Sequence, residues 1–74
     1  MITLNEFKAM DINEKIKALE KGIYLSERKE DQIMVRLYKL GNFYVEAFSQ
    51  LRRNKIVHFI AFNSNDLLLP YIKR

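Results

Sequence analysis

The sequence predicts an α+β fold: an N-terminal helical segment packed on a four-stranded antiparallel β-meander, with a short C-terminal helix or turn. Three observations carry that prediction. Thr3 with Glu6 and Asp11 with Glu14 have the spacing of helix-opening capping boxes, and apolar periodicity switches from helical to two-residue after Gly22. The strand-like runs that follow are joined by connections too short for parallel crossovers.

The two capping boxes suggest either two short helices or one helix broken near residue 11, and the second reads better. Ile12, Ile16 and Leu19 fall at i, i+4 and i+7 and form one apolar stripe, with Lys15, Lys17 and Lys21 towards solvent. Leu4, Phe7 and Met10 extend the apolar side, and Gly22 is a natural terminator. The first strand is Ile23 to Arg28, with Lys29-Glu30-Asp31 as its turn; strands then follow at about 33–39, 43–48 and 55–62.

Parity of the apolar positions proposes a register. Ile33, Val35 and Leu37 should share the helix-facing side with Phe43, Val45 and Ala47. A two-residue Gly41-Asn42 turn would put Leu37 opposite Glu46, a slip that a half-buried strand resists. A three-residue loop from Leu40 to Asn42, with Asn42 left-handed, pairs Leu37 with Val45 and Arg36 with Glu46. On the last strand Val57, Phe59 and Ala61 then point inward, and His58 stands opposite Glu46. The opposing choice, with Ile56, Ile60 and Phe62 inward, would bury His58. Beyond the sheet, Leu67-Leu68-Leu69-Pro70-Tyr71-Ile72 is an apolar tail in which Pro70 permits at most a short helix or turn.

A chain of 74 residues, 49% apolar and 30% charged, suits one compact domain spanning residues 1–74. It contains no cysteine, which excludes disulfides and thiolate metal sites, so stability must come from packing or oligomerisation. No stretch approaches the roughly 18–20 apolar residues of a membrane-spanning helix, and a cytoplasmic protein is the expectation. The net charge of +4 sits at one end: residues 1–49 balance eight basic against eight acidic side chains, whereas residues 50–74 set five basic ones against Asp66. Arg52, Arg53 and Lys55 mark one basic loop.

The proposed register leaves an outer face bearing Tyr24, Met34, Arg36, Tyr38, Tyr44, Glu46, Phe48, Ile56, His58 and Ile60. Arg36, Glu46 and His58 within reach of one another could serve acid–base chemistry, because a carboxylate raises the pKa of a neighbouring imidazole. Cross-strand charge pairing at an otherwise apolar face is the plainer explanation. Ser26, Ser49 and Ser64 lack a nucleophile elbow, one histidine is no metal-ligand set, and Gly22 and Gly41 cannot form a phosphate-cradling loop. Neither a cofactor nor a metal is expected. The aromatic residues could stack unpaired bases, with Arg52, Arg53 and Lys55 on phosphate. Aromatics, Met and Arg are also enriched at protein interfaces, and Glu46 would repel a polyanion. Protein association is therefore the leading expectation, as a homodimer through Met34, Arg36, Tyr38, Tyr44, Glu46, Phe48, His58 and Ile60.

Three strings, Gly22-Ile23-Tyr24-Leu25-Ser26-Glu27-Arg28, Leu37-Tyr38-Lys39-Leu40-Gly41-Asn42-Phe43-Tyr44-Val45-Glu46 and Leu69-Pro70-Tyr71-Ile72, together resemble a family of small uncharacterised bacterial proteins. The resemblance covers most of the chain as a pattern of strand residues. It implies a helix-then-meander layout and brings no assigned activity or site residues.

Overall fold

The computed structural model describes residues 2–63. Helices α1 (Leu4–Ala9) and α2 (Ile12–Glu20) precede strands β1 (Ile23–Glu30), β2 (Ile33–Leu40), β3 (Phe43–Gln50) and β4 (Lys55–Phe62). The α+β layout is the one the sequence predicts. The apolar tail around Pro70, and with it the short C-terminal helix or turn, lies outside the described residues.

The N-terminal segment is two helices rather than one broken helix. Thr3 caps α1 by accepting from the Glu6 amide at 3.1 Å, and the Glu6 carboxylate accepts from the Thr3 amide at 2.8 Å. Asp11 and Glu14 repeat this reciprocal exchange at 2.8 and 2.9 Å. Each box satisfies two amides that the first turn of a helix leaves without intrahelical partners. Between the helices Met10 and Asp11 are extended, at ψ 153° and 177°, so the chain leaves the helical region entirely before re-entering it.

The buried side of α2 also differs from the simple stripe. Leu19 is buried and Ala18 packs on the core, but Ile12 is exposed. Lys15, expected towards solvent, is half-buried with its ammonium 5.6 Å from the ring centroids of both Phe7 and Phe59. Its methylene stem takes the core-facing place and its charge rests on aromatic faces.

The sheet has the order β1-β2-β3-β4, all antiparallel. Gly41-Asn42 is a two-residue turn, with Leu40 paired to Phe43, Leu37 to Glu46 and Arg36 to Ala47. This overturns the three-residue loop and its register. Gly41 has φ 62° while Asn42 is not left-handed, the pattern of a II′ hairpin with glycine first. The register brings Leu40 and Phe43, both buried, against the helices. A cross-strand pair of large apolar residues outweighs the parity of Val35 and Leu37, which turn to the other face.

In β3–β4, Ala47 pairs with Phe59, Glu46 with Ile60 and Phe48 with His58. Those pairings lie two residues beyond the expected ones: the 51–54 loop already sets Gln50 against Lys55, one residue on, and Val57, an extra residue in a bulge next to that loop, adds the second. Val57 is accordingly exposed rather than inward. A second bulge lies in β1, where Tyr24 pairs with Tyr38 but Ser26 with Leu37, leaving Leu25 as the extra residue.

The main core is Phe7, Leu19, Leu40, Phe43, Val45 and Ala47, closed by Leu4, Met10, Tyr38, Phe59 and Ala61. Phe7 is its keystone, with ring centroids 5.9 Å from Phe43 and 6.0 Å from Phe59. Burying one such ring stabilises by about 2–3 kcal/mol. The chain turns from α2 into β1 at Gly22 because no side chain fits: a Cβ there would stand 2.5 Å from Leu40 Cδ2 and 2.9 Å from the Lys39 carbonyl oxygen.

Candidate functional site

At the start of β1 the bulge changes which side chains are neighbours. In a regular strand residues i and i+3 point to opposite faces. The extra Leu25 puts Tyr24 and Glu27 on the same side, and the Tyr24 hydroxyl donates to Glu27 Oε1 at 2.7 Å. Across the ladder Arg36 stands opposite Glu27 and donates from Nε to the same oxygen at 3.3 Å. Tyr38 stands opposite Tyr24 in an edge-on ring contact with centroids 5.7 Å apart.

This cluster shifts two titrations. The hydrogen bond to Glu27 holds the Tyr24 phenol above its usual range, with burial and the carboxylate's charge adding to it. The Tyr24 hydrogen bond holds Glu27 below the usual carboxylate range; burial opposes it, and the Arg36 guanidinium adds to the lowering. Beside the cluster the edge strand presents three successive apolar residues: Ile23, Tyr24 and Leu25 are 62%, 51% and 45% exposed. They form an aromatic and aliphatic margin with a carboxylate and a guanidinium at its rim.

The other face of the sheet, away from the helices, is closed at its centre. Val35 and Leu37 lie there fully buried, and Glu46, opposite Leu37, is only 5% exposed. Arg28, on β1, reaches past β2 and donates from Nη2 to Glu46 Oε2 at 3.2 Å, while Glu30 pairs with the same guanidinium. A long cationic side chain thus supplies the counter-charge that lets a carboxylate sit among apolar neighbours. Towards β4, Tyr44 stacks on Phe62 at 5.6 Å and Phe48 tilts against His58 at 5.5 Å, with Ile60 exposed between them.

The eight residues expected on one aromatic outer face therefore divide. Met34, Arg36 and Tyr38 occupy the helix side with Tyr24, and Tyr38 packs on the main core. Tyr44, Glu46, Phe48, His58 and Ile60 occupy the opposite side. Arg36 pairs with Ala47, so the sheet itself separates it from Glu46 and His58, and the arrangement needed for acid–base chemistry by these three is not formed. Ile56 faces Ser49 rather than joining the His58 side. Arg52 and Arg53 lie in the β3–β4 loop, and Lys55 begins β4.

Ile23, Leu25, Glu27 and Arg28 escaped the sequence reading as site residues. Regular alternation places Tyr24 and Glu27 apart, and only the bulge joins them. Among the described residues no group of three His, Cys, Asp or Glu side chains could hold a metal ion, and no helix is long and apolar enough to cross a membrane. Comparison with protein-family models, with curated proteins and with solved structures finds no match to this chain.

Proposed function

We propose that this is a non-enzymatic cytoplasmic protein that acts by association, and that its partner is a second copy of the same chain, docked at the β1 margin. The observation that carries the reading is the run of exposed Ile23, Tyr24 and Leu25 on an edge strand. Apolar side chains contiguous along an open edge are uncommon on a protein that stays single. The rim favours self-association in particular. A twofold axis makes the same patch meet itself, so a patch must be its own complement. Here Glu27 and Arg36 lie side by side, and one copy's carboxylate can meet the other's guanidinium while the aromatic centre is covered.

The reading moves the interface from the aromatic face to the margin, because the face opposite the helices is already filled at Val35, Leu37 and Glu46. Sedimentation velocity at tens of micromolar tests it. The expected result is a species of twice the 8.9 kDa chain mass, reduced to the single chain by Leu25→Glu with an unchanged melting temperature. Leu25 suits the test because it is the unpaired residue of the bulge and contributes nothing to the main core. A single-chain wild type, or a Leu25→Glu protein that keeps the doubled mass, rejects the proposal.

A further inference from the structure

The far end of the sheet from Ile23 carries a second feature that association does not use. The tight Asp31-Gln32 turn and the 51–54 loop are joined there by the Leu51 amide, which donates to the Gln32 carbonyl at 2.9 Å. Between them lies a cleft of about 480 Å³ lined by Gln32, Ile33, Gln50, Arg52 and Arg53. We propose that this cleft binds a small phosphate ester of about mononucleotide size.

The charges single it out. Arg28 and Arg36 are held by carboxylates, Arg28 by Glu30 and Glu46 and Arg36 by Glu27. Arg52 and Arg53 have no ion pair among the described residues. Among the described residues no acidic side chain lines the cleft. Of the acids nearest in sequence, Glu30 is engaged by Arg28, and Asp31 is not part of the lining. Lys55, paired with Gln50 across the ladder, adds a third positive charge beside it.

The chemistry of the lining suits a phosphate with an organic body. Two neighbouring guanidiniums offer planar pairs of N–H donors that match phosphate oxygens. The Gln32 and Gln50 amides can donate to and accept from the polar groups of the remainder, and Ile33 supplies an apolar wall. The loop is not free to drift: the Leu51 amide ties it to Gln32, and Asn54 closes it in the left-handed region at φ 51°, a conformation that Asn tolerates. The volume lies within the usual range of small-ligand sites, roughly 300–1,000 Å³.

Titration of the ¹⁵N-labelled full chain with adenosine 5′-monophosphate, followed by amide chemical shifts, tests the proposal. Saturable shifts centred on Gln32, Gln50 and Leu51 are expected. Arg52→Gln/Arg53→Gln should weaken binding at least tenfold, whereas Lys17→Gln/Lys21→Gln, the same loss of charge on α2 and its C-cap, should leave it unchanged. Four results overturn the proposal: no saturable shift at 10 millimolar nucleotide, equal weakening by both double variants, adenosine binding as well as its monophosphate, or a hexathymidine oligonucleotide binding more than tenfold tighter than the mononucleotide. The last would make this end a nucleic-acid surface. The arginine variant should retain the sedimentation behaviour of the wild type, so this site and the association margin stand or fall separately.

Discussion

Replacing Arg28 by Met, Glu46 by Leu, and both together isolates the ion pair on the face away from the helices. At 3.2 Å and an effective dielectric constant of about 20, the bare attraction is roughly 5 kcal/mol. Desolvation of both charges opposes it by several kcal/mol, so the net value of the pair is far smaller than the cost of removing one partner. For Arg28→Met that cost is about 3 kcal/mol, the low end of the range for a buried pair, because the Glu46 side chain left behind is buried but makes further interactions. Methionine retains most of the stem over the sheet, so the loss reports charge more than packing. The double variant should return to within about 1 kcal/mol of the wild type, since two well-packed apolar residues replace a desolvated pair. Both side chains make further interactions, including the Arg28–Glu30 pair, so only the four-protein cycle isolates their coupling, expected at about 2 kcal/mol. Urea unfolding of the four proteins at pH 7, followed by far-ultraviolet circular dichroism, measures it. A coupling below about 0.5 kcal/mol, the value of an exposed ion pair, would refute the argument.

Three further outcomes follow from the same geometry. Gly22→Ala should lower stability by about 1–3 kcal/mol in a urea melt, because the added methyl meets Leu40 and a backbone carbonyl that cannot move aside. Asp11→Ala should cost about 1 kcal/mol and reduce helical circular dichroism, since it removes the cap on which α2 starts anew. Glu27 has a lowered folded pKa, so its stabilisation is present above the ordinary carboxylate range and is lost as pH falls through the folded value. Tyr24 has a raised one, so its stabilisation is present below the ordinary phenol value and is lost as pH rises through the folded value. Glu27→Gln should therefore flatten the acid limb of the stability profile and lower the Tyr24 pKa in an ultraviolet titration; an unchanged Tyr24 titration would show that the two groups do not share the proton bridge.

The elements were legible because their signals are local. Each capping box is four residues long, Gly22 marks the change of period, and β2, β3 and β4 lie within two residues of the expected spans. The faces were not, and β2 shows why. It carries apolar residues at both parities, Ile33, Val35 and Leu37 against Met34, Tyr38 and Leu40, so alternation cannot choose between them. The choice is made by the II′ turn at Gly41, which sets Leu40 against Phe43. Placing Leu37 opposite Glu46 looked like a slip because a carboxylate among apolar residues needs a counter-charge. Arg28 supplies it from two strands away, a contact of 18 residues' separation that no short pattern reveals.

Both bulges fall in the two edge strands, and that placement constrains how the protein can associate. An unbroken edge offers a row of backbone donors and acceptors to any other strand, and pairing β1 of one copy with β4 of the next would be head-to-tail and would extend without limit. The extra residues at Leu25 and Val57 interrupt those rows, and charges at Glu27, Lys29, Glu30 and Lys55 flank them. What the β1 bulge removes in backbone complementarity it supplies in side chains: it exposes Leu25 and joins Tyr24 to Glu27 and Arg36 on one side of the strand. Contact through such a margin depends on side-chain shape and on the Glu27–Arg36 pair, which two copies can satisfy mutually and then close. The device that guards this sheet against filaments is thus the one that builds its most distinctive surface.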